Sequence, residues 1–373
     1  MSWRDRWLAA RDGLLATPRF QRWTTWFPLT RSIARRQARA LFDLCAGFVY
    51  SQILLACVRL KLFDVLADGP MTVVAVSQRL SLPEESTARL LAAAAALRLV
   101  EARGQDRYGL GMLGAALRAN PSIAALVEHD ALLYEDLKDP LALLRGERRD
   151  TALGHYWGYA HAANPASLSA EQVAPYTALM AQSQALITDE ILDAYPLRDH
   201  RCLLDVGGGN GAFAAAAASR APDLRIIVFD LPAVAARAKD RFFARGLADR
   251  ADAIGGDFLT DPLPQGADVV SLVRVLHDHD DSSALAILRA ARLALARGGT
   301  LLIAEPMAGA PGGEIVGDAY FGFYLLAMGR GRPRTRQEIV RLASAAGFSN
   351  IRPAGKGLLV QILAFKAGPT NHC

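Results

Sequence analysis

Leu203-Leu204-Asp205-Val206-Gly207-Gly208-Gly209-Asn210-Gly211 is the stretch that decides the fold. An apolar run ends in an acid and passes at once into a glycine-rich turn. That is how a parallel strand stops at the carboxyl edge of a sheet and offers bare backbone to a small ligand. Outward from it, runs at 202–206, 225–229, 268–273 and 299–304 read as strands, with alanine-rich helical stretches between them. This alternation is the pattern of a doubly wound parallel sheet. The expected class is α/β, with a Rossmann-like C-terminal domain over residues 201–373.

The acid says what the loop holds. A loop built for phosphates alone gains nothing from a carboxylate two residues before its first glycine, because like charges repel. A ligand with cationic parts does gain. Gly207, Gly209 and Gly211 form G-x-G-x-G, yet Gly207, Gly209 and Ala212 also satisfy the dinucleotide fingerprint, so glycine spacing alone leaves a nicotinamide cofactor open. Asp230, in Val228-Phe229-Asp230-Leu231-Pro232, suits the ribose hydroxyls of either ligand. Gly256-Asp257-Phe258 adds an acceptor for an adenine amine and a ring to stack on it, although an aspartate after glycine is also an ordinary turn residue. Taken in order on one sheet, Asp205, Gly207, Gly209, Asp230, Asp257 and Phe258 point to S-adenosyl-L-methionine, with its ammonium and sulfonium, and to a methyltransferase. A nicotinamide-dependent oxidoreductase is the rival.

Arg274-Val275-Leu276-His277-Asp278-His279-Asp280-Asp281 follows the strand-like run 268–273 and belongs at the same carboxyl edge. His277 is the candidate general base, since a neutral imidazole is available at physiological pH. Arg274 is placed with the cofactor-binding residues. His277-x-His279-x-Asp281 resembles part of a zinc motif, but Ser282 follows and only His372 remains downstream, so no metal is expected. One of Asp280 and Asp281 is expected to cap the next helix.

The N-terminal half carries a different message. Residues 1–40 hold nine arginines against Asp5 and Asp12, with Trp3, Trp7, Trp23, Trp26, Phe20 and Phe27, while the whole chain has a net charge of only +5. A basic arm therefore precedes a slightly acidic body. Such an arm suits an anionic membrane surface, or a dimer or domain contact using the same aromatics. No stretch reads as a signal-peptide core or approaches a membrane span, so a cytoplasmic, at most peripheral, protein is expected. The four cysteines, Cys45, Cys57, Cys202 and Cys373, lack C-x-x-C spacing and point to a reducing compartment.

One long apolar helix is expected over 41–66, then helical spacing at Val73, Val76 and Leu80, a second helix from Glu84 to Leu97, and short strands around Arg103-Gly104-Gln105-Asp106. Helix, turn, helix and hairpin make a winged-helix pattern over 41–118. Its second helix is nearly all alanine and leucine, with few donors to read bases, so it suits burial against a partner subunit better than DNA. A winged-helix regulator stays as a third hypothesis. Residues 119–200 read as a helical connecting region in which Tyr134, Tyr156, Trp157, Tyr159, Tyr176 and Met180 form core or line an apolar pocket. Phe321, Phe323, Tyr324 and Met328 are further candidates for an acceptor pocket.

On these residues, the chain resembles the small-molecule O-methyltransferases that include the plant caffeate and flavonoid enzymes. The resemblance implies a winged-helix dimerisation domain, a homodimer, His277 in Leu276-His277-Asp278 as catalytic histidine, and Glu305 in Ile303-Ala304-Glu305-Pro306 as its orienting partner. Two positions depart from the family pattern. His279 stands where tryptophan is usual, and Pro333 precedes Arg334-Thr335 where a second acid is usual. The arm and the segment Phe42-Asp43-Leu44-Cys45-Ala46-Gly47-Phe48-Val49-Tyr50 are similar to the carotenoid 1-hydroxyl methyltransferases of purple photosynthetic bacteria. That likeness implies a hydroxycarotenoid as acceptor. A bacteriochlorophyll ring C-methyltransferase is the related alternative.

Overall fold

Side chains alternate along the strand that opened the reading, as a buried strand requires. In the computed structural model, which describes residues 2–162, 164–357 and 359–368, Leu203 enters the core on one face of a sheet and Leu204 and Val206 enter the core on the other. His372 and Cys373 lie outside the described residues. Numbered along the chain, β1 is Met71–Thr72, β2 Val100–Ala102, β3 Arg107–Leu110, β4 Cys202–Val206, β5 Arg225–Asp230, β6 Ala251–Gly255, β7 Ala267–Val273, β8 Leu295–Glu305, β9 Phe348–Lys356 and β10 Gln361–Ala367.

The large sheet has the order β6-β5-β4-β7-β8-β10-β9. Strands β4 to β8 are parallel, while β10 pairs antiparallel with both β8 and β9. A wholly parallel sheet is therefore a correct expectation for five strands and wrong at one edge. The reason is local. Only residues 357–360 separate β9 from β10, far too few for the crossover that parallel pairing needs. The chain steps outward from β4 in one direction to β5 and β6, and in the other to β7 and β8. Ligands bind at the carboxyl edge where strand order reverses in this way, here between β4 and β7.

Both faces of the sheet are covered. Phe213 and Phe242 pack on the Leu203 side and Ile287 and Leu288 on the Leu204 side, all essentially buried. Each such side chain contributes about 1.5–3 kcal/mol by leaving water. Asp205, on the Leu203 face, breaks the apolar rule, as do the buried Ser271 beside it on β7 and Thr300 and Glu305 on β8.

The described chain falls into two compact units, Met1–Ala119 and Asn120–Cys373. The first has helices Val73–Leu80 and Glu84–Ala96 and a small antiparallel sheet of order β1-β3-β2, the winged-helix pattern read from the sequence. Residues 120–200 belong to the same unit as the large sheet, through helices that include Pro121–Asp136 and Ala170–Ala194.

The arm differs from expectation. Trp3–Leu15 and Pro18–Trp26 are short helices, and a third runs without a break from Pro28 to Arg59. This third helix runs through residue 40, and the expected helix 41–66 instead ends at Arg59, with Lys61 in the left-handed region before a short helix Leu62–Val65. Proline begins the second and third helices because its fixed φ suits the first helical position. Helix Pro28–Arg59 is also long and apolar enough, by length and composition, to cross a membrane, which corrects the expectation that no stretch approaches that length. Only Leu55, Cys57 and Val58 of this helix are buried, and Leu29, Ile33, Leu41, Phe42, Leu44 and Phe48 are exposed.

Candidate active site

The glycine loop is shaped by what lies beneath it. A Cβ on Gly208 would stand 2.4 Å from Asp205 Oδ2, and one on Gly207 would stand 2.8 Å from the Val275 side chain, so only glycine lets the loop lie this low. Gly207, Gly209 and Gly211 all have positive φ, which glycine adopts at no steric cost. Asp205 Oδ1 accepts the Ser271 hydroxyl at 2.6 Å from the adjacent strand, and Oδ2 is buried with no partner. Burial raises the Asp205 carboxyl from 3.8 to about 7, against the Ser271 hydrogen bond and with help from Asp230.

Asp230 ends β5 beside the loop. Its Oδ2 accepts Gly209 N–H at 2.8 Å and its Oδ1 accepts Leu231 N–H at 2.7 Å, which ties loop to strand. Burial lifts this carboxyl to about 6 against those two bonds. A carboxylate with lone pairs to spare at this edge is suited to a pair of ribose hydroxyls.

Above these groups lies a cavity open to solvent. Gly207–Asn210 and Asp230 line it, as do Asp257 and Phe258, Arg274, Asp278 and His279, and an aromatic wall of Trp157, Tyr159 and Tyr176 with Met180. Six of the nine sequence-predicted site residues therefore face one cavity: Gly207, Gly209, Asp230, Asp257, Phe258 and Arg274. Asp205, His277 and Glu305 do not line it. Asp205 lies below the loop, under Gly208. Asp257 is also a turn residue, its Oδ1 accepting Leu259 N–H at 2.9 Å, so both readings of it hold.

Arg274 is held in the left-handed region with φ 55. Its Nη2 donates to Ser183 Oγ at 2.9 Å and Gln184 Oε1 at 3.0 Å, while its Nε is buried without a partner. No carboxylate contacts this guanidinium among the described residues. The cavity therefore offers a cation with a spare donor, a buried unpaired carboxylate under the glycine loop, a ribose-type acceptor, and an acid and ring for a purine. That donor set fits S-adenosylmethionine group for group: carboxylate, ammonium and sulfonium, ribose, adenine.

His277 sits behind Asp278. Its Nδ1 donates to Glu305 Oε2 at 2.6 Å, and Glu305 Oε1 accepts Val275 N–H at 2.9 Å and Leu276 N–H at 2.7 Å. One carboxylate thus fixes both the ring and the backbone that carries it. On the other side Asp278 Oδ1 stands 3.1 Å from His277 Nε2, and Asp278 Oδ2 accepts the Tyr159 hydroxyl at 2.8 Å. Burial would lower the imidazole pKa, but Asp278 and then Glu305 outweigh it and hold His277 above its ordinary 6.5. Phe321 packs edge-on against the ring at 5.7 Å.

Asp280, the expected cap, accepts Ser283 N–H at 2.7 Å at the start of helix Asp281–Ala294. Asp281 instead pairs with Arg332 and Arg334. The zinc-like triplet does not converge, and among the described residues no group of three or more ligand-type side chains is placed to hold a metal ion.

Three residues around His277 carry no sequence signal of a role there: Asp278, Tyr159 and Arg334. The buried Arg334 donates to Leu276 O at 2.5 Å, His279 O at 2.7 Å and Asp281 Oδ1 at 2.8 Å, clamping the loop on both sides of His277. Nothing local in sequence announces a clamp that spans more than fifty residues. Of the four proposed acceptor-pocket residues only Phe321 touches His277. Tyr324 and Met328 are core, in one cluster with Leu133 and Trp157, and Phe323 is exposed.

A methyl-donor cavity at the switch point of this sheet, with a carboxylate-held histidine behind it, defines a class I methyltransferase. Residues 134–349 match the O-methyltransferase domain and residues 42–119 the O-methyltransferase dimerisation domain. The chain belongs to this O-methyltransferase family, whose methyl donor is S-adenosylmethionine. It is 42% identical over 339 residues to a demethylspheroidene O-methyltransferase of Cereibacter sphaeroides, covering 91% of this chain and 89% of that one. To a demethylspheroidene O-methyltransferase of Rhodobacter capsulatus it is 40% identical over 327 residues, covering 87% and 80%. The solved structure of human N-acetylserotonin methyltransferase in complex with S-adenosylmethionine matches with a TM-score of 0.73 and 26% identity, over 89% of this chain and 98% of that one.

Proposed function

We propose that this O-methyltransferase methylates the tertiary 1-hydroxyl of an acyclic hydroxycarotenoid of the demethylspheroidene type, acting as a homodimer in carotenoid biosynthesis. The observation that carries the reading is identity above 40% across nearly the whole of both chains to a demethylspheroidene O-methyltransferase. The aromatic wall of Trp157, Tyr159 and Tyr176 suits an apolar acceptor.

S-adenosylmethionine, when bound, supplies a methyl group on a sulfonium that is open to in-line displacement. The remaining work belongs to the protein. Arg274, Asp230 and Asp257 hold the donor's polar ends, and Asp205 places negative charge under its cationic part. His277 and Asp278 receive the acceptor hydroxyl together. Carboxylates at both ring nitrogens favour the protonated form of His277 relative to a free imidazole in the unloaded site, and it takes the alcohol proton from its neutral form, with Nε2 facing the oxygen. An aliphatic alcohol is far too weak an acid to ionise beforehand, so the proton leaves as the oxygen–carbon bond forms. Positioning the oxygen ~3 Å from the methyl carbon therefore contributes more than the base, whose share is about 10²–10⁴-fold.

The arm supports a place for this chemistry. Residues 2–41 precede the dimerisation match and carry the nine arginines, and Trp3 and Trp26 are 82% and 77% exposed. The enzyme would rest peripherally on an anionic membrane from the cytoplasmic side, where a carotenoid dissolves. The apolar residues of helix Pro28–Arg59 from Leu41 onward fall to the partner subunit.

Expression of the chain in a host accumulating 1-hydroxycarotenoids, followed by mass spectrometry of the pigments, tests the substrate. A methoxycarotenoid 14 mass units heavier is the expected product. Unchanged carotenoids beside a methylated chlorophyll precursor would replace this reading with ring C-methylation.

A further inference from the structure

The cavity has one polar wall that neither the glycine loop nor the histidine–glutamate pair accounts for. His279 is 5% exposed and lines the cavity, its ring edge-on to Phe258 with centroids 5.4 Å apart and planes at 83°. Its backbone is fixed at both ends, with its N–H donating to Leu276 O at 3.2 Å and its carbonyl accepting Arg334 Nη2 at 2.7 Å. Nδ1 is buried with no hydrogen-bond partner. A proton there would find no acceptor, so the neutral ring carries it on Nε2, the nitrogen left to serve the cavity. Burial keeps the ring neutral, lowering it to about 4, and Arg330, His277 and Arg334 reinforce this against Asp278.

The chemistry of this end of the cavity is then a donor beside an acceptor. Asp257 is the acceptor, Phe258 the stacking ring, and His279 Nε2–H the donor. An aminopurine offers the complement, an exocyclic amine that donates and ring nitrogens that accept. We propose that His279 donates its Nε2–H to a ring nitrogen of the cofactor's adenine and, with Asp257, makes this site selective for that base. The proposal rests on the reading of the cavity as the S-adenosylmethionine site.

The test is calorimetry of the full-length protein with S-adenosylhomocysteine and its 1-deaza, 3-deaza and 7-deaza analogues, each of which replaces one ring nitrogen by C–H. Wild type should bind one analogue about 5- to 10-fold more weakly than the parent, the size of one neutral hydrogen bond, and the others within about 2-fold. His279→Phe keeps a ring against Phe258 without the donor and should bind the parent and all three analogues alike. His279→Gln, which keeps a donor, should restore part of the discrimination, and thermal unfolding of each variant checks that it is folded. Equal binding of all analogues by wild type overturns the proposal without need of any variant. So does a wild-type preference that survives in His279→Phe. Failure of S-adenosylhomocysteine itself to bind would instead remove the reading of the cavity.

Discussion

Replacing Asp205 by asparagine should stabilise the unloaded protein at alkaline pH while weakening its hold on the cofactor. Asp205 is 1% exposed, and burial raises its carboxyl from 3.8 to about 7. A carboxyl raised on folding supports the fold below its unfolded value and loses that support as pH climbs through its folded value. Full ionisation above pH 7 therefore costs the unloaded fold about 4 kcal/mol, of which about 2–3 kcal/mol falls between pH 5 and pH 8. Asparagine still accepts the Ser271 hydroxyl but carries no charge. Its amide nitrogen, buried where Oδ2 has no partner, costs about 1–3 kcal/mol at every pH. Relative to wild type, Asp205→Asn should thus be less stable or even at pH 5 and gain about 2–3 kcal/mol on going to pH 8. Urea unfolding of both proteins at pH 5, 6, 7 and 8 measures this directly. A difference that stays constant across that range would refute the argument, since it would mean Asp205 carries no buried charge to relieve. The cofactor gives a second check. A cation bound above the loop lowers the Asp205 pKa, so wild type should release protons on binding S-adenosylhomocysteine near pH 7 and the variant should release fewer, read by calorimetry in two buffers of different ionisation enthalpy.

Asp230→Ala should weaken S-adenosylmethionine binding by about 1.5–3 kcal/mol, the range for hydrogen bonds to a charged group, measured by calorimetry; unchanged affinity in a folded variant would misplace the site. His277→Ala should lower kcat about 10²–10⁴-fold with cofactor affinity intact, and the acid limb of the wild-type rate profile should lie above 6.5, because Asp278 and Glu305 raise His277. Activity that persists at full strength below that limb would show that proton removal by His277 is not needed. Deleting residues 2–27, up to the cap of helix Pro28–Arg59, should abolish sedimentation with anionic vesicles and spare methylation of detergent-dispersed carotenoid. Wild-type vesicle binding should fall as salt rises; a truncated protein that binds vesicles like wild type, or loses its dimer instead, makes the arm a structural element.

The parts of the fold legible in sequence are those whose signal is local. Apolar runs bounded by turns gave β4, β5, β7 and β8, and the glycines gave the loop, because both features depend on neighbours along the chain. β6 is not legible, since in Ala251-Asp252-Ala253-Ile254-Gly255 three of five residues are small, and it becomes a strand by pairing with β5. The antiparallel edge escaped because nothing in β10 itself records which strand it joins. Among candidate site residues, the positions of Asp230 and His277 at the sheet's carboxyl edge are legible from their places after strands. Asp205 was legible as an acid but not as one sealed below Gly208, which depends on how low the glycine loop sits. Arg334 and Tyr159 were invisible as functional groups because each acts on a residue far away in sequence, Tyr159 on Asp278 and Arg334 on the backbone around His277.

Those two long-range contacts bear on how much the missing acid at Pro333 matters. A catalytic histidine needs its ring held in orientation and its loop held in place, and one carboxylate can supply both only if it reaches ring and backbone at once. Glu305 does so, through one oxygen on Nδ1 and the other on two successive N–H groups. Arg334 then closes the loop from the opposite side through two carbonyls, and Arg332 N–H adds a bond to His277 O at 2.8 Å. That approach is open only because residue 331 is glycine, with φ 78 and a Cβ position 2.1 Å from His277 O. A second acid against Nδ1 would raise the imidazole further and leave less of the neutral form that takes a proton. With backbone clamps doing the positioning, the ring keeps a single carboxylate, Glu305, on Nδ1, while Asp278 stands at Nε2 and is itself held by the Tyr159 hydroxyl.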